Sequence, residues 1–157
     1  GQGAEANIYG AFFGNKKQQM DLYNRTVHHS KNTNSNMKVK GILDDDAKGV
    51  YRGLVKVGES APNSQGYQKE DTLLLSEDSE ISSVPDLEIA NNEVMCSHGV
   101  TTSKIKKEYL FYLQSRGIDF MEATEIFVLG HISEVLEKID DKGIREKIRE
   151  VTIDKMR

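Results

Sequence analysis

The chain of 157 residues has no tryptophan, two prolines and a single cysteine. Each scarcity excludes something. One cysteine rules out an internal disulfide framework and fits a reducing compartment, as in a cytoplasmic protein. No apolar run approaches the roughly 18–20 residues that a membrane-spanning helix needs, and no signal peptide is visible. Neither sign of charge dominates. The formal net charge is −4 with acids and bases interspersed, which leaves no footprint for nucleic acid. At 37% hydrophobic residues the chain buries a core, but a lean one. It opens at Gly1 and runs straight into strand-like sequence, which reads as a piece cut from a longer protein.

Up to about residue 98 the hydrophobic pattern alternates with the period of two that a half-buried strand requires. Ala4, Ala6, Ile8 and Phe12 share one face of a first strand. Met20–Val27, Met37–Leu43, Val50–Val57, Leu73–Leu75 and Leu87–Ile89 follow as further strands. Turn formers separate them: Gly14-Asn15, Asn32 to Asn36, Asp44 to Gly49 and Gly58 to Gly66. Short strands at this spacing suit a sandwich, a barrel or a solenoid, and no clean sequence repeat chooses among the three. After Thr101 the period becomes helical. Ile105, Tyr109, Tyr112 and Leu113 form one stripe, and Gly117 ends that helix. Asp119 with Glu122 reads as a capping box opening a second helix, whose stripe runs through Ala123, Ile126, Phe127, Val135, Leu136 and Ile139. Ile144, Ile148 and Val151 mark a charged third helix after the break at Asp141-Lys142-Gly143. Strands come first and helices last, so the expected division is 1–100 for the β part and 101–157 for a helical part.

Candidate chemistry is sparse. Cys96 and His98 stand two apart, so on a strand they point to one side, and thiolate and imidazole suit iron, zinc or copper. Two ligands do not close a site. A metal would have to bridge to a second chain, and the alternative is a buried thiol beside a hydrogen-bonded histidine. His28 and His29 face opposite ways on a strand and read as a solvated edge. Asp44-Asp45-Asp46 lacks the spaced oxygens of a calcium loop and reads as an acidic turn. The glycines of residues 1–14 lack the strand–turn–helix setting of a phosphate loop.

The stretches "YRGLVKV" (51–57), "DTLLLS" (71–76), "VPDLEI" (84–89), "CSHGVTTSKI" (96–105) and "LFYLQSRGI" (110–118) occur in this order. Together they closely resemble the C-terminal part of the SufB/SufD family, the scaffold proteins of the SUF iron–sulfur cluster assembly system. The resemblance runs from roughly Gly3 to Ile139. It implies a mainly β protein, a right-handed parallel β-helix followed by a small α-helical domain. It also implies a non-catalytic scaffold that pairs with a second SufB- or SufD-like chain through the β-helix and docks a SufC-like ABC ATPase on its terminal helices. A cluster or iron would form transiently at the interface of two chains, with none expected on this stretch alone. His98, possibly with Cys96, corresponds to the family's cluster-assembly position. Ser103, Ile105, Tyr109, Phe111 and Arg116 fall on the expected ATPase-docking surface, whose bland alternative is a helical cap over the open end of the β-helix. "CSHG" and "FYLQSRGI" look like the SufD side, "YRGLVKV" and "TTSKI" like the SufB side. SufB-type scaffolds carry a cysteine where this chain reads Asp78-Ser79-Glu80 and a glutamate where it has Gly99. Those departures favour a SufD-like subunit, with an undivided homologue of archaeal or deep-branching type as the second reading. A β-solenoid carbohydrate-active enzyme using Asp44–Asp46, or a purely structural oligomerisation module, are the other classes the pattern allows.

Overall fold

The computed structural model describes residues 1–157 and contains seven strands of ten residues followed by three helices. The strands are β1 (Glu5–Gly14), β2 (Gln19–His28), β3 (Asn34–Leu43), β4 (Lys48–Val57), β5 (Gln65–Leu74), β6 (Glu80–Ile89) and β7 (Met95–Lys104). Odd strands stack in parallel as β1-β3-β5-β7 and even strands as β2-β4-β6, so the chain coils between two facing sheets. This is a parallel β-solenoid of about three turns, and among the three architectures left open by strand spacing it is the solenoid that forms. Register sets residues 29 to 32 apart on top of one another, as in Glu5 with Asn34 and Lys48 with Glu80.

A parallel stack places like on like, and the corners repeat accordingly. Gly3, Asn32 and Asn63 fall at equivalent positions and all adopt positive φ, as do Lys16 and Asp45 at another corner. Asn and Asp tolerate that region because their short polar side chains bond locally. The acidic run Asp44–Asp46 is such a corner: Asp45 Oδ2 accepts from the Lys16 backbone at 2.8 Å, and the Asp46 N–H donates to Lys16 O at 2.9 Å.

Alternation decides what fills the lumen. Phe12, Met37, Val39, Leu43, Tyr51, Val55 and Val57 point inward and are buried. Gly41 also faces in, packed so closely on Phe12 and Thr72 that a methyl there would overlap both. The lumen is not uniformly apolar. His28 is buried within it, its Nδ1 2.7 Å from Thr33 Oγ1 and its Nε2 2.8 Å from Ser35 Oγ. The expected solvated edge at His28-His29 is therefore corrected: His28 ends an inward-facing row, and only His29 is exposed. Desolvation pulls the His28 pKa down, so the neutral ring is the form that fits.

Three boundaries differ from the expectation. β5 begins at Gln65 rather than Leu73, because its inward residues Gln68, Glu70 and Thr72 are polar and hide the alternation. β6 spans Glu80–Ile89 and contains Pro85, which a strand with one free edge accommodates. β7 continues to Lys104, where a helical period was expected from Thr101, and helix α1 spans only Lys107–Ser115.

Helix α2 (Phe120–Leu136) opens at Asp119, whose side chain accepts from Glu122 N, and α3 (Lys142–Met156) opens likewise at Asp141. α2 buries Ala123, Thr124, Val128, Ile132, Val135 and Leu136, while Ile126 of the expected stripe is exposed. Val128, Ile132 and Leu136 join Ile42 of β3 and Leu73 of β5 in one cluster. Ile42 and Leu73 belong to the outward-facing row, so the helices lie along the outside of the odd-numbered sheet. The alternative of a cap over the open end is overturned, since the last coil stays uncovered.

Candidate functional site

The solenoid ends in two strands that each have one free edge, β6 and β7. Their inward residues have no further coil above them, and Ile89 and Val100 are exposed as a result. Cys96 pairs in register with Gly66, and His98 with Gln68. Both partners are buried residues of the inward row, so Cys96 and His98 stand side by side on the inner face of the terminal strand. That matches the expectation that they share a face.

The two differ in environment. Cys96 is half-buried and packs against the cluster of Met37, Val55, Val57 and Ala61. A methyl built on Gly66 would lie 3.3 Å from Cys96 Sγ and 3.6 Å from His28 Nε2, so the glycine leaves the thiol its room. Burial pushes the Cys96 thiol up, partly opposed by a backbone hydrogen bond from Gly66. His98 is exposed on the free end. No group of three or more His, Cys, Asp or Glu side chains gathers to hold a metal.

One layer beneath His98 lies a polar pair absent from the expectations. Gln68 and Glu70 are each 1% exposed. Gln68 Nε2 donates to the carbonyls of Gly53 and Asp86, both at 3.3 Å. Glu70 accepts from Ser83 Oγ at 2.8 Å and from the Thr72 hydroxyl. With no cation beside it, burial raises the Glu70 pKa, against those hydroxyl bonds. A carboxyl whose folded pKa is raised contributes most below its unfolded value of about 4.3, and that contribution is lost as pH climbs through the folded value. Glu70→Gln is therefore expected to raise Tm at pH 8 and to leave it nearly unchanged at pH 4. An equal shift at both values in a thermal denaturation series would refute the assignment.

The expected docking residues lie elsewhere, at the helical end. Tyr109 and Phe111 of α1 are 52% and 72% exposed, and α1 buries no residue at all. The stripe expected on α1 is thus not a core face. Tyr109 stacks on Phe127 of α2 with ring centroids 6.1 Å apart, and the Arg116 guanidinium sits over the Tyr112 ring. Ile105 precedes the helix and packs on the Ile42–Leu73 cluster, while Ser103 stands in register with Leu73. Phe120, Met121 and Ile126 extend the exposed apolar surface onto α2. Beneath it, Lys40 Nζ reaches Asp71 at 2.7 Å and Glu134 at 3.6 Å, Lys38 reaches Glu134 at 2.6 Å, and His131 Nε2–H donates to Asp71 O at 3.0 Å. These bonds fasten α2 to β3 and β5. No helix is long and apolar enough to cross a membrane.

Fold and open end together define a β-solenoid with a helical appendage and a histidine presented from its last strand. Residues 1–131 match the SufBD core domain of the SUF system for iron–sulfur cluster assembly. The iron-sulfur cluster assembly SufBD family protein of Staphylococcus saprophyticus is 37% identical over 132 residues, and that of Staphylococcus aureus 36% identical over the same length. In each case the match covers 84% of this chain and 28% of the relative. The chain belongs to the SufBD family and spans little more than a quarter of the length of these relatives.

Proposed function

We propose that this chain supplies the C-terminal part of a SufD-like scaffold subunit for iron–sulfur cluster assembly. It pairs with a second scaffold chain through its last coil and docks an ABC-type ATPase on its helices. The observation that carries this reading is the uncovered last coil. Two free strand edges and an open lumen expose inward-facing Val100 and Ile89 beside His98 and Cys96. Free edges favour pairing with another chain, and two ligands on one chain become four across a pair. Iron or the cluster is the cargo of such an assembly, and the protein does no covalent chemistry of its own. His98 is the accessible ligand, and the half-buried Cys96 thiol stands beside it, to be deprotonated by any metal it binds.

By the resemblance, Gly99 and the stretch Asp78-Ser79-Glu80 stand where SufB-type scaffolds carry glutamate and cysteine. Ser79 instead closes a turn through bonds to Ser76, its N–H to Ser76 Oγ at 3.2 Å and its Oγ to Ser76 O at 3.1 Å. The SufD-like assignment rests on these replacements.

Calorimetric titration of the chain with the ABC ATPase of its own organism tests the helical end. Micromolar or tighter binding, about −8 kcal/mol or better, is expected. Absence of binding by the folded chain would withdraw the ATPase partner. At the other end, His98→Ala in the full-length protein is expected to leave Tm unchanged, since the side chain is exposed, and to impair cluster assembly in cells. Full restoration of cluster enzymes by the substituted protein would refute the role of His98.

A further inference from the structure

We infer that Gln68 and Glu70 are positioning residues for the open end, holding strand β6 in place opposite the strand that carries His98. The inference rests on the reading of the last coil as a pairing surface. Both side chains leave β5, cross the lumen and bind β6: Gln68 Nε2 at Asp86 O, and Glu70 Oε2 at Ser83 Oγ. They are the side-chain hydrogen bonds that tie β6 to the opposite sheet. Its other side-chain ties, Lys48 to Glu80 and Lys56 to Glu88, run to the neighbouring β4 on the exposed outer face and contribute little.

β7 is hydrogen-bonded to the same β5 in unbroken register from Gln65–Met95 to Leu74–Lys104. The backbone of β6 is paired with β4 in equally unbroken register, so β5 touches both free edges: β7 through its backbone, and β6 across the lumen through two buried side chains. A second chain laid on the open end meets both edges at once, so their relative placement is what it reads. Burying an amide and a carboxyl in a lumen is costly, the more so because Gln68 Oε1 has no hydrogen-bond partner, and the bonds to β6 are what offsets that cost. Gly53 fits the arrangement. It lies beneath Gln68 with its Cα face against the amide oxygen, and a methyl there would collide with it.

The test is amide hydrogen exchange on the full-length protein carrying Gln68→Leu, Ser83→Ala or Glu70→Gln, read segment by segment. Gln68→Leu and Ser83→Ala are expected to speed exchange across residues 80–89 about tenfold, the ratio given by about 1.4 kcal/mol. Residues 5–28, to which none of these side chains is hydrogen-bonded, should stay unchanged. Glu70→Gln, whose amide oxygen still accepts from Ser83, should retain protection. Affinity for the second scaffold chain should fall in parallel, with ATPase binding unaltered. Unchanged exchange over 80–89 in both variants would overturn the positioning role. Faster exchange in a protein whose unsubstituted form pairs with no second chain would keep the role and overturn the pairing reading beneath it.

Discussion

Lys40→Ala is expected to destabilise the protein by about 3–5 kcal/mol, the cost of removing one partner from a buried ion pair. For a chain of this length that is a fall in Tm of roughly 6–20 °C. Lys40 and Asp71 are largely buried between β3, β5 and α2, with Nζ 2.7 Å from the carboxylate. Without the ammonium, Asp71 keeps a charge that water barely reaches, and Glu134 keeps only Lys38. The converse is equally specific. Replacing both partners, Lys40→Met with Asp71→Leu, should recover most of the loss, because an apolar pair of similar volume carries no desolvation penalty. Chemical denaturation of the single and double variants checks both halves. A loss below about 1 kcal/mol in Lys40→Ala would mean that the pair behaves as a solvated surface bridge.

Ile132→Ala should cost about 2–5 kcal/mol, because the site sits between two rigid surfaces and cannot collapse. Ile132 is 1% exposed and meets Ile42, Leu73, Val128 and Leu136 where α2 lies on the solenoid wall. The functional consequence differs from that of His98→Ala. Loosening α2 displaces the platform on which Tyr109 stacks through Phe127, so affinity for the proposed ATPase partner should fall along with stability. His98→Ala should spare both. Calorimetric binding run beside thermal denaturation separates the two cases. An Ile132→Ala protein with unchanged ATPase affinity would place the docking surface away from α1 and α2.

Much of the architecture is legible in local pattern. The alternation through Val50–Val57 predicts a strand with one face inside, and β4 buries Tyr51, Val55 and Val57 as that pattern requires. The Asp119 cap can be read directly, since a helix start depends on three or four consecutive residues, whereas Asp141, read as part of a break, is the cap of the third helix. The ordered motifs from Tyr51 to Ile118 carry the family, and the match over residues 1–131 agrees with them. That Cys96 and His98 share a face follows from their spacing alone.

Other features have no local signature. Only the end of β5, Leu73–Leu75, reads as strand because its inward face before that is Gln68, Glu70 and Thr72, and their polarity makes sense only once Ser83, Asp86 and Gly53 stand opposite. His28 looks like a surface residue until Thr33, Ser35 and the coil above enclose it. Where the helices sit is likewise invisible in their own stripes. Ile42 and Leu73 belong to strands, and only the stacked sheet brings them together as a seat for Val128, Ile132 and Leu136.

The sequence by itself determined the element types, the family, and the face shared by Cys96 and His98, because each depends on neighbours within a few residues or on motif order. The tertiary structure alone decided which residues stack, since register joins positions 29 to 32 apart and leaves no mark in any short window. It also decided that the helices lie along the wall and that the last coil stays open. Those outcomes depend on which surfaces remain to be buried once the coils have closed on one another.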